Sequence, residues 1–267
     1  MNEQLLKAQN LFIGYGAKTF DKECILQNAD ICVKKGEFVC LCGKNGSGKS
    51  TLLKTLAGIE KNTLKKGKIT LSCNFENSQT DLFSLKTKEL AKRISFMEQT
   101  ESSAWNQNVF DFILNGRYAW SNFNYTQEDF DIVEDSAKIL NIKKLLDKDI
   151  YSISGGEFQK VRIARSLAQN TDFLLLDEPS SSLDALYENE LLQIFLNLAS
   201  QKNKGILISI HNINKAARFS QKIALITQKK IITDSPQNIF TKENLECAFG
   251  QGLKIFTHPI FNCPQAD

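Results

Sequence analysis

The segment GKNGSGKS, Gly43 to Ser50, constrains this chain more than any other stretch of comparable length. It follows the apolar run Phe38-Val39-Cys40-Leu41-Cys42 and precedes a helical run, Thr51 to Ile59, so the G-x-x-x-x-G-K-[ST] pattern lies between a strand and a helix. Glycine lets the backbone curl until successive N–H groups point at one centre, and the helix N-terminus adds its partial positive charge. Phosphate binds such a nest. Gly43, Asn45, Gly46, Ser47, Gly48, Lys49, Ser50 and Thr51 are therefore the candidate nucleotide-binding residues. Lys49 is expected to reach the β- and γ-phosphate oxygens, and the Ser50 hydroxyl to coordinate magnesium. The loop by itself supports nucleotide binding and no more, because the same nest serves GTPases, kinases and motors.

A second acidic element sharpens that reading. The run Phe173-Leu174-Leu175-Leu176 ends in Asp177-Glu178, which places two carboxylates at the carboxyl end of a buried strand, where ligands bind in α/β sheets. Asp177 is expected to hold magnesium through water, and Glu178 to take a proton from an attacking water as general base. MgATP is the expected ligand, and its hydrolysis the expected reaction.

Hydropathy patterning predicts an α/β fold. Short strands are expected at Leu11 to Ile13, Ala29 to Val33, Phe38 to Cys42 and Lys68 to Ser72, with turns at Lys35-Gly36 and Lys66-Gly67. All but the phosphate-loop strand read as a small antiparallel sheet. The lysines at 65, 66 and 68 are expected in a solvated turn. From Val109 to about Gln169 the apolar spacing becomes helical, and Phe173 to Leu176 and Ile206 to Ile210 read as buried parallel strands joined through a helix over Leu186 to Leu198.

At 267 residues the chain buries a core without staples, and seven cysteines lacking any CxxC pair argue against zinc ribbons and disulfide frameworks. A net charge of +3 with dispersed lysines gives no nucleic-acid footprint. The first ten residues lack the apolar core of a signal peptide, and no run approaches the roughly 18 apolar residues of a membrane span. A reduced, cytoplasmic location is expected.

Between the two acid- and phosphate-binding elements lies Ser152-Ile153-Ser154-Gly155-Gly156-Glu157-Phe158-Gln159, followed by KVRIARSLAQN. Physically it is a second anion nest at a helix N-terminus, built on the Ser154 hydroxyl and the Gly155 and Gly156 N–H groups. This segment resembles the signature motif of ABC ATPases, with Ile153 and Glu157 at the first and last positions of the usual LSGGQ. The resemblance runs from about Leu6 to Phe240. It implies a P-loop NTPase core with a flanking antiparallel β subdomain and a helical subdomain. One domain is implied over 1–267: core and β subdomain over 1–100, helical subdomain over 101–169, the rest of the core over 170–245, and a tail over 246–267. It also implies that the nest serves the ATP of a second copy in a head-to-tail dimer. Tyr15 resembles the aromatic that stacks on adenine, although extra residues around Phe20 to Glu23 separate it from the loop. Gln99 resembles the glutamine that senses magnesium and the membrane partner. Asp184 resembles the loop aspartate at the dimer contact, and His211 the switch histidine on the γ-phosphate.

Val109-Phe110-Asp111-Phe112-Ile113-Leu114-Asn115-Gly116-Arg117-Tyr118 resembles the corresponding segment of importer ATPases for iron-siderophore, haem or cobalamin substrates; Ala119-Trp120 departs from the frequent Arg-Tyr-Pro continuation. The spacing alone fits an amphipathic helix followed by a glycine turn equally well. The resemblance implies permease subunits spanning the membrane, a separate substrate-binding protein and attachment to the inner face of the cell membrane. The alternative is the ATPase of another ABC importer or of an exporter. Soluble two-cassette relatives and coiled-coil DNA-repair relatives do not fit a chain with one cassette and no sustained heptads.

Overall fold

Two sheets organise the computed structural model, which describes residues 4–16, 24–72, 79–101 and 106–267. Phe20 to Glu23 and Trp105 lie outside the described residues. The first sheet is antiparallel and contains β1 (Leu5–Gly14), β2 (Cys24–Lys34), β4 (Leu64–Ser72) and β5 (Gln79–Asp81) in the order β2-β1-β4-β5. The second holds β3 (Phe38–Cys42), β6 (Ile94–Met97), β7 (Phe173–Leu176), β8 (Gly205–Ser209), β9 (Lys222–Thr227) and β10 (Lys230–Asp234) in the order β10-β9-β3-β8-β7-β6. Its pairings are parallel except that of β9 with β10.

Complete burial of β3, β7 and β8 follows from their uninterrupted apolar runs, which only a sheet covered on both faces accommodates. The strand period of two then divides β3 between two cores. Phe38, Cys40 and Cys42 enter the core shared with the helical region, while Val39 and Leu41 enter the core under the antiparallel sheet.

The helices in chain order are α1 (Lys49–Leu56), α2 (Thr87–Ala91), α3 (Val109–Leu114), α4 (Tyr118–Ser121), α5 (Gln127–Ile139), α6 (Gly155–Ala168), α7 (Ala185–Lys202), α8 (Ile213–Phe219), α9 (Pro236–Ile239) and α10 (Lys242–Phe249). Arg117, 5% exposed and in the 3-10 segment between α3 and α4, ties α5 to α6: its Nε donates to Asp129 at 2.8 Å and an Nη to the Ala168 carbonyl at 3.1 Å. Among the described residues no helix is long and apolar enough to cross a membrane. The tail ends in a hairpin of β11 (Ile255–Thr257) and β12 (Pro264–Ala266), whose Ala266 exchanges hydrogen bonds with the Asn214 side chain of α8. His258 organises that turn, its Nδ1 accepting from the N–H groups of Ile260 and Phe261.

Two local expectations are corrected. Lys66-Gly67 is not a turn but part of β4, and the lysines at 65, 66 and 68 are solvated strand residues. Gly67, at φ 107°, faces the irregular pairing of β1 around Asn10, where a Cβ would come within 2.6 Å of the Asn10 carbonyl oxygen. Gly116 likewise makes no turn: it sits in a 3-10 segment so close to α6 that a Cβ would meet the Arg165 carbonyl at 2.4 Å.

Candidate nucleotide site

The phosphate loop occupies the step between β3 and α1. Gly48, at φ 98°, caps α1 and lies under Ile25, whose methyl carbon would be 2.3 Å from a Cβ. No acidic residue occupies the first turn of α1, which leaves its positive end for an anion. Lys49 is 5% exposed, and its Nζ donates to the carbonyls of Gly43 at 2.9 Å and Lys44 at 3.2 Å. Burial lowers the Lys49 pKa, while the facing Glu178, Cys42 and Asp177 oppose that shift. The Ser47 hydroxyl is buried without a hydrogen-bond partner. A buried cation resting on two carbonyls, an orphaned hydroxyl and a glycine-lined cradle fit the phosphates of a nucleotide.

Asp177 and Glu178 leave β7 toward this loop and are 2% and 8% exposed. Glu178 holds φ at 48°, the left-handed region a residue with a Cβ avoids. Ser209, at the end of neighbouring β8, fixes this conformation. Its hydroxyl donates to Asp177 Oδ1 at 2.6 Å and accepts the Glu178 N–H at 2.8 Å. Both Glu178 oxygens are engaged: Gln99 Nε2 donates to Oε2 at 2.6 Å, and His211 Nε2 lies 2.6 Å from Oε1. Gln99 extends from the end of β6 and His211 from just beyond β8, so three adjacent parallel strands deliver their carboxyl ends to one carboxylate.

A cavity of about 430 Å³ opens over these groups, lined by Asn45, Gly46, Gly48, Lys49, Ser50 and Thr51 of the loop and α1, with Tyr15, Ile25, Gln99, Glu178 and His211. Tyr15 is half-exposed, and its hydroxyl bonds Thr51 at 3.1 Å and Glu60 at 3.3 Å. Gly43, Ser47 and Asp177 are not among the lining residues of that cavity.

Ser154, Gly155, Gly156 and Asp184 are also outside that lining. Ser154 caps α6 in a reciprocal box: its hydroxyl accepts the Glu157 N–H at 3.3 Å, and the Glu157 carboxylate accepts from the Ser154 N–H at 2.9 Å and hydroxyl at 3.0 Å. Those bonds, the backbone one foremost, hold the Glu157 pKa below its ordinary value. A Cβ at Gly155 would meet open space, and one at Gly156 would stand 3.6 Å from the Ser182 carbonyl. Asp184 caps α7 by accepting the Tyr187 N–H at 2.8 Å. The second nest thus faces outward, beside the loop that follows Glu178.

Sequence reasoning overlooked Ile25, Ser209 and the side chains that brace Gln99. Only Ser209 left a trace, as the single hydroxyl within the apolar run Ile206 to Ile210.

A phosphate nest between β3 and α1, with two carboxylates at the end of β7, separated from β3 by β8, defines a P-loop nucleotide-hydrolase core. The model of the ABC transporter family matches residues 26–181, and the chain belongs to that family. It is an ATP-binding, ATP-hydrolysing subunit of an ABC transporter. It is 36% identical over 242 residues to an uncharacterised ABC transporter ATP-binding protein of Methanocaldococcus jannaschii, spanning 90% of this chain and 79% of that one. To the iron(3+)-hydroxamate import ATP-binding protein of Bacillus subtilis it is 31% identical over 262 residues, 97% of this chain and 93% of that one. Its fold is similar to that of a putative metal-chelate type ABC transporter solved in an inward-facing conformation. That match has a TM-score of 0.79 and 27% identity, and covers 99% and 96% of the two chains.

Proposed function

We propose that this chain powers an importer for an iron-siderophore, haem or cobalamin-type substrate, acting through permease subunits at the inner face of the membrane and with a separate substrate-binding protein. The observation that carries this reading is the nearly end-to-end similarity to the Bacillus subtilis iron(3+)-hydroxamate import subunit, helical region and tail included. Similarity of shape to the metal-chelate type transporter supports it. The chain is read as one domain, with the helical segment over 101–169 set into the nucleotide-binding core.

In the hydrolytic site, Lys49 exchanges its two carbonyl contacts for phosphate oxygens, while the loop N–H groups and the α1 terminus hold the remaining phosphate charge. Ser50 and Asp177, with Gln99 nearby, would hold a magnesium ion, which would supply Lewis-acid neutralisation of the phosphate charge. Tyr15 stacks on the base. Glu178 accepts the proton of the attacking water at its carboxylate, after one oxygen is released by Gln99 or His211. His211 then turns its Nε2 toward the γ-phosphate. The outward nest of Ser154, Gly155 and Gly156, with Asp184 beside it, covers the nucleotide of a second copy, so two chains close head-to-tail on two MgATP.

Glu178→Gln tests the base assignment: the variant should trap a MgATP-bound dimer on size exclusion with turnover reduced about a thousandfold. Turnover at the parental rate would sink the assignment. Copurification with the permease from detergent-solubilised membranes, then uptake assays with ferric hydroxamate, haem and cobalamin in reconstituted vesicles, tests the substrate class. Efflux, or uptake of none of the three, would refute it.

A further inference from the structure

The Gln99 side chain contacts Glu178, but its backbone is anchored elsewhere, on the helix that begins at the outward nest. Arg162 of α6, its side chain 3% exposed, aims its whole guanidinium fork at the segment preceding and following Gln99. One Nη donates to the Gln99 carbonyl at 3.2 Å, the other to the Glu98 carbonyl, and Nε to Glu101 Oε2 at 3.3 Å. Arg165, one turn further on, grips both oxygens of Glu101 at 2.7 and 2.6 Å. Arg162 also donates to Gln159 Oε1 at 2.7 Å, and the Gln159 amide donates to the Pro179 carbonyl at 2.8 Å, one residue past Glu178.

These bonds close a ring. It runs from the Gln99 amide to the Glu178 carboxylate, through Pro179 to Gln159, across to Arg162, and back to the Gln99 carbonyl. A buried guanidinium is costly to desolvate unless each of its donors is met, so the arrangement is specific in geometry and replaceable by neither lysine nor an apolar residue. Two backbone carbonyls, one carboxylate and the Gln159 amide oxygen are the partners that meet it. The catalytic carboxylate and the glutamine that touches it are thus both mounted on α6.

We propose that Arg162 is a positioning residue for ATP hydrolysis: it carries the backbone of Glu98 and Gln99 on the signature helix, so that the Gln99 amide reaches Glu178 only while that helix holds its present orientation. The inference rests on the reading of Glu178 as the base and of Gln99 as its neighbour in the hydrolytic site. Because Ser209 of β8 also holds the Glu178 backbone, a shift of α6, whose N-terminus faces away from this chain's own cavity, would move Gln99 relative to the carboxylate without disturbing the phosphate loop.

Arg162→Met, and Glu101→Gln as a milder change that leaves the buried arginine in place, test this. Turnover at saturating MgATP should fall by about tenfold to a hundredfold in the first and by about threefold in the second, with affinity for MgATP changed by less than about twofold. Amide exchange over 98–101 should accelerate in both, while 43–50 stays as in the parent. The decisive measurement is the cycle with Gln99→Ala: Arg162→Met should add no further loss in that background, because it acts through Gln99. Losses that multiply, or exchange over 98–101 equal to the parent's, would overturn the proposal. Parental turnover in Gln99→Ala alone would count against the site reading instead, and the exchange data would still decide whether Arg162 carries the loop.

Discussion

Ser209→Ala removes one hydroxyl that serves two neighbours at once. The Oγ atom donates to Asp177 and accepts from the Glu178 N–H, and all three residues are buried. A hydrogen bond to a charged group contributes about 1.5–3 kcal/mol net, and a buried N–H left without an acceptor costs about 1–3 kcal/mol. Because one atom makes both contacts the two losses do not add in full, and a destabilisation of about 3 kcal/mol is expected. Catalysis should suffer separately. Glu178 sits at φ 48°, a conformation that costs about 1–2 kcal/mol for a residue with a Cβ, and the Ser209 acceptor is what opposes its relaxation. A displacement of the carboxylate on the order of 1 Å lowers turnover about a hundredfold. Urea denaturation of the nucleotide-free protein reads the first effect, and steady-state hydrolysis at saturating MgATP reads the second. Ser209→Thr, which keeps the hydroxyl, should recover most of the turnover. A Ser209→Ala protein that loses stability but hydrolyses ATP at the parental rate would refute the reasoning.

Tyr15→Ala should raise the KM for ATP about tenfold with kcat unchanged, since an aromatic stacked on a base contributes about 1–3 kcal/mol to binding alone. Gly48→Ala places a methyl group 2.3 Å from an Ile25 carbon at φ 98°, so titration calorimetry should show MgATP binding weakened at least about tenfold. Burial would raise the Asp129 pKa, but hydrogen bonds from Thr126 and Arg117 outweigh it and the pKa is lowered. The stability contributed by the Arg117–Asp129 pair is thus complete above the unfolded-chain value near 3.8 and lost as pH falls through the lower folded value. Arg117→Met should cost about 3–5 kcal/mol at pH 7. In denaturation curves that deficit should shrink below about pH 4, as Asp129 becomes protonated.

Much of the site was legible because its chemistry is contiguous. Gly43 to Ser50 supplies its own turn, N–H groups and helix end, and Asp177-Glu178 follows directly on the apolar run that buries it. Gln99, His211 and Tyr15 were placed only by their order in a resembled pattern. As isolated residues they carry no such information, since a histidine after a strand is an ordinary structural residue. Gly67 was misread as a turn because its partner, the irregular pairing around Asn10, lies on another strand far away in sequence.

The sequence by itself determined the phosphate loop, the acidic strand end, the second nest at a helix N-terminus and the α/β class, because each is written in neighbouring residues whose spacing matches a local backbone geometry. Tertiary structure alone decided what surrounds the carboxylate. Pairing β7 between β6 and β8 brings Gln99, Ser209 and His211 onto Asp177 and Glu178, and packing α6 beneath that edge lets Arg162 hold Gln99. These contacts join residues distant in the chain, and their energies depend on burial and on hydrogen-bond geometry, which no local pattern of residue types encodes.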